Sequence, residues 1–479
     1  MNDKIIDKLK KDTNNSSYVI YREKYIKKHK IDIIYNETLT DTNKLSDFIF
    51  RSLDHIESIY DEKELLYDTI KNNIANIKIK EIKGYEDICK YLNNGFVILL
   101  IEDDYSLALE VKKNISRSVE KPMTEITLRG PLDSFNENIE TNIGLIKRRL
   151  KSNKVWNKDF ELGKYTKNKV SVLYIDGVAD TSVTDKVIEK INNIDIDSIT
   201  DSGSLKHLIV KETKTLFPTV MTTERPDKVC DALLQGKTAI VVDNSPFALI
   251  VPVFLNDYFI SEDDKDAKSM NGSLTRALRY IAFFITLMTP GIYIAITTFN
   301  QEMLPLEFLI SFASQRSSVP FPAFFEAFLM ILSFEILRES DLRIPNVSNS
   351  ALSIVGALIL GEAAVNAGIV SPVMIIVEAV TAISALLFTE PELINAIKWY
   401  RLLFMIGATT LGMYGVFIIF IYFLINICAV NSFGKPFMIP YAPISIAGLK
   451  NSFVKFPLKN RTKRNKYLTD NIIREVNHE

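Results

Sequence analysis

Nearly all the long apolar runs of this 479-residue chain lie between residues 280 and 430, while residues 1 to 279 are rich in Lys, Asn, Asp, Glu and Ile. A helix needs roughly 17–25 apolar residues to cross the hydrocarbon core of a bilayer, and several of these runs are that long. In lipid, every backbone N–H and C=O must be satisfied within the protein, so such runs form helices. The expected fold class is therefore an α/β cytoplasmic N-terminal domain of two lobes, followed by an α-helical polytopic membrane domain. The amino-terminal stretch "MNDKIIDKLKKDTNN" lacks the apolar core of a secretory signal, which keeps the first part in the cytoplasm. The expected division is a helical lead-in over 1–75, α/β lobes over 76–180 and 181–275, a transmembrane helical domain over 276–432 and a basic cytoplasmic tail over 433–479.

In the polar part, "LSDFIFRSLDHIESIY" repeats Leu45, Ile49, Leu53 and Ile56 at helical spacing. "GFVILLIEDD" (95–104), "EITLRGP" (125–131) and "KVSVLYIDGV" (169–178) read as short strands, with a helix over 137–150, and this order suggests a mixed sheet. Lys147, Arg148 and Arg149 collect at that helix's carboxyl end, where the dipole favours cations, and read as a solvated end. The second lobe reads as two helices, "VTDKVIEKINNI" and "SLKHLIV", then strand, helix and two strands over 217–255. Pro226 suits a first helical turn, Gly236 a left-handed helix stop and "DNSP" (243–246) a reversal. The charged corner Thr223 to Asp227 reads as a structural ion pair at a helix start.

The apolar part divides less cleanly. Residues 280–299 are long enough to cross, with Pro290 and Gly291 expected to break or kink them. Residues 303–314 are too short and carry Glu307, which suits a re-entrant or interfacial segment. Residues 321–340 carry Glu326 and Glu335 and suit either a surface or a bundle. Runs at 351–370, 372–388 and 402–430 follow, the second with Glu378 and the last with Gly407, Gly412 and Gly415. Four crossings and two ambiguous segments are expected. Arg276 and Arg279 before the first run and Lys450, Lys455, Lys459, Arg461, Lys463, Arg464 and Lys466 after the last place both termini in the cytoplasm.

The segment "SIVGALILGEAAVNAGIVSP" (353–372) sets an acid inside a run that lipid would otherwise accept. An acidic side chain at the centre of a lone spanning helix costs roughly 2.5–3.5 kcal/mol, so this one either bonds to neighbouring helices or lines a watery path. Glu362 and Asn366 stand four apart, one above the other, with Leu358 and Val365 completing a candidate pore or polar membrane face. Ala357, Gly361, Ala364 and Gly368 form a neighbouring stripe suited to close helix packing. Glu326, Glu335 and Glu378 are the other intramembrane acids.

Cys89, Cys230 and Cys428 are widely spaced, and the four histidines are scattered. The sequence has no GxSxG, P-loop or HExxH and no GxGxxG after a strand, so no catalytic, cofactor or metal site is expected and the chain does not read as an enzyme. A formal net charge of -1 argues against affinity for nucleic acid. The basic tail suits contact with anionic lipid.

In chain order, "LRGP" (128–131), "FPTVMTTERPD" (217–227), "SPFALIVP" (245–252), "VPFPAFFEAFLM" (319–330), the 353–372 segment and "FGKPFMIPYAPIS" (433–445) resemble the A subunits of bacterial spore germinant receptors. The resemblance runs from about residue 120 to 458. It implies a protein of the spore inner membrane that works with a permease-like B subunit and a lipoprotein C subunit and triggers germination. It also implies assembly of A subunits, as homo-oligomers, into a ligand-gated path for monovalent cations. In that family the acid more usually stands at the position of Asn366, with a neutral amide at that of Glu362, and here the two are exchanged. Two other classes compete. A secondary transporter would use the broken helix at Pro290 and Gly291, and a non-conducting scaffold for the nutrient-binding subunit would be indifferent to neutralisation of Glu362.

Overall fold

The computed structural model describes residues 2–60, 65–74, 78–101, 105–114, 122, 124–125, 127, 129–210, 215–341, 359–457 and 463–473. The first lobe is built from α1 (Asn2–Asp12), β1 (Val19–Ile26), β2 (His29–Asn36), α2 (Arg51–Ile59), α3 (Leu66–Asn73), β3 (Ile79–Glu81), α4 (Tyr85–Leu92), β4 (Phe96–Ile101) and β5 (Tyr105–Glu110). Its sheet runs β1-β2-β4-β5-β3. Strand β4, "FVILLI", is buried throughout because helices cover both faces. Val97, Leu99 and Ile101 meet Leu53 and Ile70, while Phe96, Ile98 and Leu100 meet Leu9, Ile88 and Leu92, the period of two that a strand imposes. The expected helical lead-in over 1–75 is thus half of this lobe. Its strands β1 and β2 escaped notice because "VIYREKYI" carries three charges at an edge of the sheet, where side chains reach water.

The second lobe holds α5 (Ile139–Arg149), β6 (Val155–Leu162), β7 (Asn168–Ile175), α6 (Thr181–Asn192), α7 (Ser202–Val210), β8 (Met221–Thr223), α8 (Pro226–Leu234), β9 (Thr238–Val242) and β10 (Ala248–Val251), with the sheet order β6-β7-β9-β10-β8. The expected lobe over 76–180 therefore divides: β3 to β5 join the first sheet, β6 and β7 the second. Every ladder in both sheets is antiparallel, so the expected mixed sheet does not form. Residues 124–125, 127 and 129–131 are not in a strand. Instead β6, masked in sequence by Lys158, Asp159 and Glu161, pairs with β7 from Val155↔Ile175 to Leu162↔Asn168. Pro226 does open α8, and Gly236 follows it at φ +95°.

Lys147 is not at a solvated helix end. It is 8% exposed, held where the lobes meet: its Nζ donates to Asn157 Oδ1 at 3.2 Å and lies 5.3 Å from the Tyr18 ring centroid. Ser16 Oγ of the first lobe donates to the same oxygen at 2.6 Å. Burial pulls the lysine down to about 8.

Beyond the lobes come α9 (Ser269–Thr298), α10 (Leu306–Arg316), α11 (Ala323–Asp341), α12 (359–366), α13 (Pro372–Ala385), α14 (Pro391–Leu411), α15 (Met413–Ala429) and α16 (Ile446–Phe453). Among the described residues, α9 is the one helix long and apolar enough to cross a membrane; α13 and α15, of 14 and 17 residues, are shorter apolar helices. Helix α9 continues through Pro290. Its Gly291 lies so close to α14 that a Cβ there would be 3.1 Å from the Phe404 carbonyl.

The run 402–430, expected as one crossing, is two helices. Gly412, at φ +61°, ends α14, and α15 folds back along it. The Tyr400 and Phe423 rings lie 5.0 Å apart, and a Cβ on Gly415 would come within 1.9 Å of Gly407 O. Only glycines allow that approach.

Lobe and helices share one core, in which Phe217 stacks on Tyr400 at 5.5 Å. Asp264, 2% exposed, accepts from Arg276 Nε at 3.2 Å and from Arg279 Nη1 at 2.8 Å, so these two arginines anchor α9 to the lobe. The chain leaves the second lobe beside the place where it returns. Val253 N donates to Ser432 Oγ, and Leu255 N to Phe437 O, both at 2.9 Å.

Candidate functional site

Among the described residues, charged groups inside the helical region converge in three places, each drawing on a different set of helices. Glu326, on α11, is fully buried. Its Oε2 accepts from the backbone N–H of Ser371 at 2.9 Å, where α13 begins, and Arg316 Nε, from the end of α10, lies 3.4 Å from its Oε1. That second contact is an ion pair without the alignment of a hydrogen bond. Glu378, on α13, is 2% exposed and its Oε1 makes no hydrogen bond among the described residues; buried Arg401 of α14 is its electrostatic partner. Glu335, on α11, forms an ion pair with Lys398 of α14. Breaking one partner of a buried pair typically costs about 3–5 kcal/mol, so the contacts of Glu326 and Glu378 fix the angles of their helices, whereas the partly exposed Glu335–Lys398 pair adds less.

The sequence singles out the three acids but neither Arg316 nor the pair Lys398 and Arg401 as their partners. Their spacing carried a signal nonetheless: Ile394, Ile397, Lys398 and Arg401 recur at helical intervals, which puts both cations near one face of α14.

Of the segment expected to line a path, residues 359–372 are described. Ala357 and Leu358 lie outside the described residues. Helix α12 carries Gly361 buried, Ala364 and Val365 half-buried, and Glu362 and Asn366 exposed. Gly361 faces α13, where a Cβ would make ordinary contact with Ile375 at 3.8 Å. Gly368, expected in the packing stripe, instead ends the helix: it sits at φ +66° and its N–H reaches Val365 O at 2.9 Å. Ser371 and Pro372 then start α13, so residues 359–385 form a helix, a turn and a second helix, with Glu326 clamping the corner between them.

The charged corner beside β8 is structural. Arg225, 1% exposed, binds Asp227 through Nε at 3.1 Å and Nη2 at 2.7 Å and donates to Thr127 Oγ1 at 2.7 Å and Glu125 O at 3.2 Å. Glu224 Oε1 accepts from Thr124 N at 2.6 Å and Glu125 N at 2.9 Å. Together they pin Thr124, Glu125, Thr127 and Pro131 against the lobe.

Comparison with known proteins gives a consistent neighbourhood. Spore germination protein KA of Bacillus subtilis (strain 168) is 38% identical over 460 residues, 95% of this chain and 84% of that protein. Spore germination protein B1 of the same organism is 35% identical over 91% of each chain. A B. subtilis relative named uncharacterized membrane protein YfkQ is 33% identical over 90% of this chain and 84% of its own. Among solved structures, the N-terminal domain of the A subunit of the Bacillus megaterium spore germinant receptor GerK3 is 28% identical, covering 52% of this chain and 94% of that one, with a TM-score of 0.41. The family described as Bacillus/Clostridium GerA spore germination protein matches residues 7–467, and the chain belongs to that family.

Proposed function

We propose that this chain is the membrane subunit of a nutrient-responsive spore germination receptor, and that copies of it assemble into a ligand-gated path for monovalent cations. The observation that carries the reading is the exposed pair Glu362 and Asn366 on α12, whose other side packs Gly361 and Ala364 inward. A carboxylate that its own chain leaves uncovered among apolar helices must meet water or another subunit. A ring of copies would repeat it around an axis, with Leu358 and Val365 beside it, as acidic linings of cation paths do.

Residence in the spore inner membrane is supported by α9 and by large apolar side chains left exposed on the other helices, among them Phe308, Phe325, Ile383 and Phe417. In this reading the helical region is polytopic and both termini are cytoplasmic. A permease-like B subunit and a lipoprotein C subunit complete the receptor. Gating uses the ties between lobe and helices, the Asp264 anchor and the contacts of Lys206 with Glu390 and Glu392, to pass a change of state to α9 and α14.

Cation flux through liposomes and in germinating spores tests this, comparing the native chain with Glu362→Gln and Val365→Phe. Altered conductance or selectivity at unchanged expression and assembly is expected. Unchanged flux in both variants would show that α12 does not line the path.

A further inference from the structure

A cavity of about 430 Å³ lies where the second lobe meets the helices. Its walls differ sharply. The polar wall presents Lys228, Glu262, Arg279 and Glu390, while the apolar wall, from α9 and the end of α13, presents Leu278, Ile281, Leu386 and Leu387. These four apolar side chains are between 48% and 76% exposed, so the apolar wall opens to the surroundings of the helices.

The cations on the polar wall are already engaged. Lys228 is paired with Glu125, and Arg279 with Asp264. Glu262 is held by Lys265. Glu390 differs: its side chain is 13% exposed and makes no hydrogen bond among the described residues. The nearby ammonium of Lys206 lies 3.7 Å from Glu390 but 2.8 Å from Glu392 and donates to Thr222 Oγ1 at 3.0 Å, so its ion pair with Glu390 is the longer one and carries no hydrogen bond. The least committed group of the cavity is therefore a carboxylate that has lost most of its water and is held only by a long ion pair, an expensive state unless a donor reaches it.

A ligand that satisfies both walls carries a primary ammonium, to donate to Glu390, on a hydrocarbon body, to cover Leu278, Ile281, Leu386 and Leu387. We propose that this junction cavity binds the head of an aminophospholipid drawn from the membrane, its ammonium on Glu390 and its chains along the apolar rim. The volume falls within the range of small-molecule sites. Bound there, the lipid bridges lobe and helices at the ties just described and stabilises their present angle.

The inference rests on the helical region being embedded in a membrane, so the two are tested separately: membrane residence by cell fractionation, lipid binding by native mass spectrometry of the solubilised full chain. With phosphatidylethanolamine and phosphatidylglycerol of matched tails, retention of the former is expected to be greater by about tenfold. Glu390→Gln should remove that preference, and Lys206→Met, which breaks the same ion pair but keeps the carboxylate, should preserve it. Leu386→Ser, at an exposed rim position, supplies an independent variant and should lower retention about threefold. Equal retention of the two lipids, or a preference that survives Glu390→Gln, overturns the site. Retention of hexadecylamine in preference to phosphatidylethanolamine overturns the lipid as occupant and assigns the cavity to free amines.

Discussion

A single methyl group at Gly415 should force the α14–α15 hairpin open. The added Cβ would stand 1.9 Å from the carbonyl oxygen of Gly407, and ordinary contact begins at 3.4 Å, so the helices must part by about 1.5 Å. The obstacle is backbone, which has no rotamer to change. Overpacking typically costs about 1–3 kcal/mol where side chains can adjust, and a rigid obstacle puts Gly415→Ala at or above the top of that range. Gly407→Ala meets Ile419 Cγ1 at 2.8 Å and Gly415 O at 3.0 Å, and the first of these is a side chain that can move, so a smaller loss is expected. Gly84→Ala meets nothing within 4 Å and serves as the control. Thermal unfolding of the purified chain in detergent, followed through Trp399 on α14, should rank the three in that order. A Gly415→Ala protein that melts with the control would refute the close hairpin.

Other expectations concern charge. Lys147 has a folded pKa of about 8, below its ordinary 10.5, because burial disfavours the ammonium. The native state therefore carries a penalty that is complete below about pH 8 and released as pH rises toward 10.5. Lys147→Met removes it, so the variant's stability relative to wild type should fall by up to about 3 kcal/mol between those limits, read by Trp156 fluorescence at the lobe interface; a pH-independent difference counts against the burial. Glu326→Gln should destabilise the solubilised chain by about 3 kcal/mol by stranding Arg316, and the double change Glu326→Leu with Arg316→Met should recover much of that, a recovery whose absence would deny the pairing. Arg225→Gln should free Glu125, Thr127 and Pro131 and speed tryptic cleavage at Arg129 severalfold, whereas an unchanged rate would mean that other contacts hold them.

What the sequence disclosed follows from how each element meets its surroundings. Helix α8 was legible to the residue at its start because Pro226 has one favoured place there, and β9 and β10 because both are buried and uniformly apolar. Strands β1 and β6 were not, since each lies at a sheet edge where Lys, Arg and Glu occupy the outward positions and erase the alternation. Lys147 misled for a related reason: a basic residue at a helix carboxyl end suits the dipole whether or not another lobe closes over it. In the helical region, hydropathy separated the runs at 351–370 and 372–388, where Gly368 turns left-handed, but was blind to the left-handed Gly412 that cuts 402–430 into two helices. Glu326, Glu335 and Glu378 were conspicuous in apolar runs, yet their partners sit 10 to 63 residues away and only packing brings them together.

The clasp between residues 253–255 and 432–437 makes the helical region a cassette. Its two ends emerge side by side from the lobe, which is the arrangement by which one module is inserted into a loop of another without disturbing the host. A short linker from Leu255 to Ser432 would rejoin the lobe to its own tail, which still reaches back to it through Lys435 and Asp180 and through Arg464 and the Leu234 carbonyl. Such a host separates the lobes from the helices, and offers a frame into which the helices of a relative can be exchanged whole.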